Sequence, residues 1–256
     1  MLDDFTPIVH ELDGRTIRVW AVADVHIGAK EANVAEFRKL LAKIQADPDS
    51  YLVLCGDLLN NGIRSASCPT NIYEEVLTPQ GQVDLAAELL APVADKLLGV
   101  VGGNHEARSR KAVDLDPLYA VMCMIRKQEL YRKNLAFIRA NLAKGNTKDH
   151  YALLLVHGAS NGKRVKFDQG AVEGVDAIVG GHVHEGHAYK NSRLVLTKSN
   201  RVVKKTIVSL TATSWLEYGG YAASSLYMPK ATSDPQCLVL EFTNSNARRG
   251  QIRVSW

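Results

Sequence analysis

Short apolar runs that end in polar, metal-capable residues recur along this chain. Thr16-Ile17-Arg18-Val19-Trp20-Ala21-Val22-Ala23 is rich in β-formers and delivers Asp24-Val25-His26-Ile27-Gly28. Tyr51-Leu52-Val53-Leu54-Cys55 runs into Gly56-Asp57, and Leu97-Leu98-Gly99-Val100-Val101 into Gly102-Gly103-Asn104-His105-Glu106. Leu153-Leu154-Leu155-Val156 runs into His157-Gly158, and Val175-Asp176-Ala177-Ile178-Val179 into Gly180-Gly181-His182-Val183-His184. Runs of this length bounded by turn residues predict buried strands. Between them the period changes. Val34, Phe37, Leu40, Leu41 and Ile44 share one helical face, which predicts a helix from Asn33 to Gln45 with Asn33 as N-cap and Glu36 completing a capping box. Thr78-Pro79 opens a second helix that Pro92 kinks or breaks. Asp116-Pro117 opens a third, through about Lys127.

Leu135 to Leu142 and Tyr151 to Val156 predict two strands joined by a turn. From His187 onward the pattern is mostly β, at Arg193–Leu196, Arg201–Leu210, Gln236–Phe242 and Gln251–Val254. No repeat or linker interrupts the chain. One domain over residues 1–256 is expected, with the polar strand ends in 19–184 and a β-rich part over 185–256 that pairs its edges, since open edges invite aggregation.

Composition narrows the setting. The chain has 256 residues, 46% apolar and 23% charged, which suits an ordinary globular protein with a sizeable core. A net charge of +4 permits a polyanionic partner without requiring one. Cys55, Cys68, Cys123 and Cys237 form no C-x-x-C pair. Cys55 and Cys123 read as buried small hydrophobes, and no disulfide framework is expected. The start of the chain lacks an apolar signal core, and no apolar run approaches the roughly 20 residues that span a bilayer. A cytoplasmic protein without a membrane partner is expected.

The strand ends carry the chemistry. Functional groups gather at the carboxyl ends of strands in open α/β sheets. In extended backbone, residues i and i+2 point the same way, so Asp24 with His26, and His182 with His184, form two converging pairs. Gly102 and Gly103 are expected to let the backbone turn sharply. Asn104 then offers an amide oxygen to a hard cation, and His105 can move a proton. Any one of these signals is weak; the ordered set would otherwise need five coincidences. Imidazole, carboxylate and amide together suit intermediate first-row metals.

The set Asp24-x-His26, Gly56-Asp57, Gly103-Asn104-His105-Glu106, His157-Gly158 and Gly181-His182-x-His184 resembles that of the calcineurin-like metallophosphoesterases, from about Val19 to His184. The resemblance implies an α/β fold, a four-layer αββα sandwich, with a centre for two divalent metal ions: manganese first, iron or zinc otherwise. It implies that Asp24, His26, Asp57 and His184 hold one ion. Asp57, Asn104, His157 and His182 hold the other, and Asp57 bridges. His105 is implied as general acid, outside the ligand set. Two ions about 3.5–4 Å apart clamp a phosphoryl group and acidify a water that attacks phosphorus in line; the leaving oxygen then needs a proton.

Protein phosphatases of this superfamily carry G-D-x-V-D-R-G, whereas this chain has Gly56-Asp57-Leu58-Leu59-Asn60-Asn61-Gly62. Asn60 stands for the Asp that orients the acid and could accept a hydrogen bond from His105; Asn61 stands for the phosphate-clamping Arg. Ala23-Asp24-Val25-His26-Ile27-Gly28 is similar to the D-x-H-x-G of the family's DNA-repair nucleases and other phosphodiesterases, and the loops after Gly56 and Gly103 are similar to small phage and prophage phosphoesterases. A phosphodiesterase or nuclease is therefore expected. A phosphomonoesterase acting on a nucleotide or phosphoprotein is the alternative, and an inactive binding module a third reading. Asn104, Arg108 and Arg64 are the candidate substrate contacts, the arginines because guanidinium binds phosphate bidentately. Glu106 is open between support for the ligands and a surface or capping role. The resemblance implies a phosphate-ester substrate, and Lys204, Lys205, Arg248, Arg249 and Arg253 could add a surface that tracks the phosphates of a nucleic acid. Trp215 to Tyr227 reads as a packed aromatic cluster, and the oligomeric state is open.

Overall fold

A computed structural model describes residues 4–64, 72–158, 172–197, 199–217, 237–244 and 252–255. The basic run 161–170, most of the aromatic stretch 215–227, Cys68, Arg248 and Arg249 lie outside the described residues. The strands are β1 (Ile8–Asp13), β2 (Thr16–Val22), β3 (Ser50–Cys55), β4 (Leu97–Val101), β5 (Tyr131–Arg132), β6 (Leu135–Lys144), β7 (Thr147–Val156), β8 (Ala177–Gly180), β9 (His187–Leu196), β10 (Val202–Thr211), β11 (Leu238–Thr243) and β12 (Ile252–Ser255). The helices are α1 (Val34–Ala46), α2 (Pro79–Leu90), α3 (Glu106–Val113) and α4 (Pro117–Met124).

The strands form two mixed six-stranded sheets, ordered β12-β11-β2-β3-β4-β5 and β1-β6-β7-β8-β10-β9. In the first, β2 through β5 are parallel and β11 closes antiparallel on β2. Every residue of β4 is buried, as a parallel strand covered on both faces requires. At Gly99 the sheets approach closely: a Cβ there would lie 2.5 Å from Ile138 Cδ1 of the second sheet. One apolar core runs through both, from Val19 and Leu52 to Ile138 and Leu155. α1 lies on β3, and α2 packs against α1 and α4. This is the α/β arrangement of two sheets with flanking helices that the resemblance implied.

The helix caps behave as their chemistry requires. Asn33 Oδ1 accepts from Glu36 N at 3.1 Å, Thr78 Oγ1 accepts from Gly81 N, and Asp116 Oδ1 accepts from Tyr119 N. Pro92 ends α2, and the chain continues as a 3-10 turn over Ala91–Lys96. α4 stops at Met124 rather than near Lys127. Cys123 is exposed, not buried: Leu118, Val121 and Met122 take the inner face of α4 and leave it outside. Cys55 and Cys237 are buried free thiols. Trp215 packs edge-on against Phe37. Among the described residues, no helix is long and apolar enough to cross a membrane.

Register positions the site. Val22 pairs with Leu54 and Cys55 with Val101, so the carboxyl ends of β2, β3 and β4 lie side by side. Leu155 pairs with Val179, which brings the ends of β7 and β8 together in the second sheet.

Candidate metal centre

The loops leaving these five strands lace together through their backbones. Asp24 N donates to Gly56 O, His26 N to Asp57 O, Ile27 N to Leu58 O and Gly181 N to His157 O, all at 2.8–3.1 Å. Among the described residues, nine non-glycine residues have positive φ, and five of them are Asp24, His26, Asp57, His182 and His184. Such backbone is costly for residues with a Cβ and persists where surrounding contacts over-determine it. Here those contacts turn five polar side chains toward one another.

Two donor groups result, each with its ligand atoms within 4.8 Å of one another: Asp24, His26 and His184, and Asp57, His157 and His182. In the first, His184 Nε2 lies 3.3 Å from both Asp24 Oδ1 and His26 Nε2. In the second, His157 Nε2 lies 3.2 Å from Asp57 Oδ2. Asn104 Oδ1 lies 2.9 Å from both His157 Nε2 and His182 Nδ1. A third group, His26, Asp57 and His105, spans the two.

These residues fit a metal. Ligand bonds of about 2.0–2.2 Å place neighbouring donors roughly 3.0–3.5 Å apart around one ion, close to the spacings seen. Asp24 Oδ1 and His26 Nδ1 are buried without a hydrogen-bond partner, a costly state for polar atoms. Asp24 Oδ2 is by contrast engaged by His182 N at 2.8 Å. His157 Nδ1 lies 2.7 Å from Cys55 O. A carbonyl only accepts, so Nδ1 carries a proton and Nε2 is the atom turned to the centre, where its lone pair can serve a metal.

Electrostatics follow from burial and crowding. Burial, then the charge on His105, drives His26 well below the usual imidazole range. Burial lowers His157 too, but its hydrogen bond to Asp57 and the charges of Asp57 and Asp24 together outweigh that and raise it to about 10. Asp57 resists its burial because His105 and His157 hold its carboxyl far down.

His105 faces this cluster. Its ring meets that of His26 edge-on with centroids 4.4 Å apart, and Nε2 lies 3.8 Å from Asp57 Oδ2. Its Nδ1 lies 2.7 Å from the backbone carbonyl of Asn60, not from the side chain the sequence suggested. The Asn60 amide turns away and donates to Glu75 Oε1 at 2.9 Å. Burial and the Arg108 guanidinium lower His105 to about 4, against the pull of Asp57. Arg108 spans the two neighbours, with Nη1 donating to Asn60 O at 2.9 Å and Nη2 lying 2.8 Å from His105 Nε2. Arg64 is exposed and shares no hydrogen bond or ion pair with the cluster. Asn61 is structural: its Nδ2 donates to His105 O at 2.7 Å, and its Oδ1 accepts from Ser109 Oγ at 2.9 Å.

Glu106 is fully buried, not a surface carboxylate. Its oxygens accept from Asp57 N at 3.1 Å, Leu59 N at 3.0 Å and Gly103 N at 2.8 Å. It joins the loops after β3 and β4. Burial, then the charge of Asp57, pushes its carboxyl up to about 7.

The glycines matter for space more than for turning. Gly102 and Gly103 do not have positive φ, contrary to the role expected for them. A Cβ on Gly103 would collide with Asp57 Oδ1. Gly56 needs both freedoms: φ is +83°, and a Cβ would lie 2.6 Å from His157 Nδ1 and 2.7 Å from Gly103 Cα. Gly56→Ala is expected to cost about 2–3 kcal/mol from backbone strain and overpacking. Urea unfolding of the metal-free protein measures this, and a change below about 1 kcal/mol would contradict the packing described.

Sheet order, strand-end loops and converging donors define a class of α/β metal-dependent hydrolases. The model of the calcineurin-like phosphoesterases matches residues 17–186, and the chain belongs to that family. It is a hydrolase acting on phosphoric ester bonds. Solved structures similar to the chain include a metallophosphoesterase from Sphaerobacter thermophilus at 12% identity, covering 89% of this chain and 84% of that one, with a TM-score of 0.41. A Vps29 variant from Entamoeba histolytica is 16% identical over 93% of this chain and 97% of that one, with a TM-score of 0.36. A serine/threonine phosphatase from Saccharomyces cerevisiae is 11% identical over 97% of this chain and 83% of that one, with a TM-score of 0.33. A search of curated proteins gave no match.

Proposed function

We propose that the chain is a two-metal phosphodiesterase acting on nucleic acid or a related diester, with manganese as the first-choice metal and iron or zinc as substitutes. The observation that carries this is the pair of donor groups, Asp24, His26 and His184 beside Asp57, His157 and His182, joined by a third that holds His26, Asp57 and His105. In this reading Asp24, His26, Asp57 and His184 hold one ion, and Asp57, Asn104, His157 and His182 the other. Bound there, two divalent ions supply charge to polarise a phosphoryl group and acidify a water.

The chain's own residues do the rest. The Cys55 carbonyl fixes the tautomer of His157, and the Asn60 carbonyl fixes that of His105. With its Nδ1–H held there, His105 Nε2 is the atom that would take up a proton and pass it to the leaving oxygen, once Arg108 Nη2, which now donates to it, turns to the substrate. Arg108, beside that atom, meets a non-bridging phosphate oxygen as substrate enters. Asn104 orients the ester, and Arg64 is exposed for a flanking phosphate. The preference for a diester is supported by Asn60 and Asn61. Where protein phosphatases carry an Asp and a phosphate-clamping Arg, this loop offers two amides already engaged inside the protein. A dianionic monoester loses that added cation, whereas a monoanionic diester needs it less. The reading includes one domain in a reducing, cytoplasmic setting, supported by Cys55 and Cys237 as buried free thiols.

The test is hydrolysis of bis(4-nitrophenyl) phosphate and a dinucleotide against 4-nitrophenyl phosphate by the manganese-loaded enzyme. The diesters are expected to react at least tenfold faster in kcat/KM. His105→Ala is expected to lower dinucleotide turnover by about 10²–10⁴-fold. It should cost less on the nitrophenyl diester, whose leaving group needs little protonation. Preference for the monoester would sink the diesterase reading and favour a phosphatase.

A further inference from the structure

A groove of about 550 Å³ opens beside the metal centre, and the chemistry above makes no use of its far end. Asn104 and His157 line the end shared with the centre; Arg110, Lys111, Lys133 and Asn134 line the other. One of its cations is fixed in place. Arg110 is largely buried and pinned, donating to Asp116 Oδ2 at 3.1 Å and to Tyr131 OH at 3.0 Å, while Tyr131 OH donates to the same Asp116 oxygen at 2.6 Å. Its charge is therefore balanced. Asp4 also lies at this rim, where its carboxylate accepts from Lys133 N, Asn134 N and Asn134 Nδ2 at 2.6–3.2 Å. That fixes the backbone of the turn and leaves the ammonium groups of Lys111 and Lys133 without an ion-pair partner among the described residues. Lys111 extends from α3 and Lys133 from the turn after β5, so two separate elements present cations to one groove.

We infer that this groove is a subsite for a second phosphate, the one flanking the scissile ester, held by Lys111 and Lys133. The inference rests on the phosphodiesterase reading only for which ester lies at the metals. The groove is continuous with two candidate ligands, so a substrate seated on the centre extends along it. Glycine backbone forms part of its wall, and among the described residues no Phe, Tyr or Trp lines it. Its described wall offers no stacking platform for bases and has the cations that track a backbone. Recognition there is of phosphate and is indifferent to base identity. Two sources carry this chemistry: the next internucleotide phosphate of a single strand, and the second phosphate of a nucleoside bisphosphate.

Equilibrium binding to the manganese-loaded protein tests this with three probes. These are a phosphorothioate-linked hexathymidylate, thymidine 3′,5′-bisphosphate and thymidine 5′-monophosphate. Lys111→Gln/Lys133→Gln is expected to weaken the first two about tenfold, from two modest charge contacts, and to leave the monophosphate within twofold. For the strand, the slope of log K against log salt is expected to flatten by about 1.4. Loss confined to the hexathymidylate would support the subsite and assign it to a strand; loss for the bisphosphate as well supports it for either source. Equal loss for the monophosphate, unchanged binding of all three, or no binding of any by the wild-type protein would overturn it. Wild-type protein that binds these probes through the lysines but cleaves neither a dinucleotide nor an aryl diester would sink the phosphodiesterase reading and leave the subsite standing.

Discussion

Asp57→Asn is expected to reduce bound metal from two ions per chain to at most one and to lower turnover at least about a thousandfold. Asp57 is the carboxylate shared by the group with His157 and His182 and by the spanning group with His26 and His105. It is buried, with Oδ1 accepting from His105 N at 2.8 Å and Oδ2 3.2 Å from His157 Nε2. Asparagine keeps the shape but replaces one anionic oxygen with an NH₂ that has no lone pair for a cation. It also removes the negative charge that two neighbouring cations would share. A loss of about 10³ is the scale set by removing one main electrostatic group from a preorganised site. Elemental analysis of the purified variant measures the metal, and initial rates on a diester measure turnover. Circular dichroism in chelator separates a misfolded variant from a metal-poor one. Two ions retained with turnover within tenfold of wild type would show that Asp57 does not bridge.

Asp57 also shows what could be read from the chain. It follows an apolar run, and that run reads as a strand because five consecutive apolar residues, Tyr51 to Cys55, leave no polar face for a surface helix. The same logic located β2, β4, β7 and β8 and with them every candidate ligand. β1 escaped because its burial merely alternates over Ile8–Asp13, and its partner β6 is more than a hundred residues away. α3 escaped because Glu106–Val113 is mostly polar, and few of its side chains reach the core. β9 is longer than expected because its first half, His187 to Asn191, is mostly exposed and carries no apolar run, so it is held by pairing with β10 rather than by burial.

Within the site, residue types were legible and backbone groups were not. The carbonyls of Asn60 and Cys55 set the tautomers of two histidines, and every residue has a carbonyl. The role of Asn60 was placed on its side chain for that reason. Likewise Gly103 was read as a turn residue, since a close approach to Asp57 depends on contacts between segments some 50 positions apart that no local pattern records. Glu106 stood between two roles because a glutamate at a helix start serves equally well as a dipole-complementing surface group. Only burial decides.

That decision has a large energetic consequence. Glu106→Leu keeps the volume and apolar surroundings acceptable but leaves the N–H groups of Asp57, Leu59 and Gly103 without their acceptor. An unmade buried hydrogen bond costs about 1–3 kcal/mol. Allowing for loop relaxation, the total is expected near 3–5 kcal/mol, with a Tm lower by roughly 10 °C at about 2–4 °C per kcal/mol for a chain near this size. Glu106→Gln retains an acceptor oxygen and sheds the charge that burial and Asp57 oppose, so it should lose about 1–2 kcal/mol. Thermal unfolding in chelator is the measurement, because bound metal would add its own stabilisation to any variant that still binds it. Metal binding then separates the roles. If Glu106 only joins the two loops, the Gln variant keeps both ions and most turnover, while the Leu variant loses both together as Asp57 and Asn104 drift apart. A Leu variant that unfolds within about 1 kcal/mol of wild type would mean that water satisfies the three N–H groups and that the loops hold without this bridge.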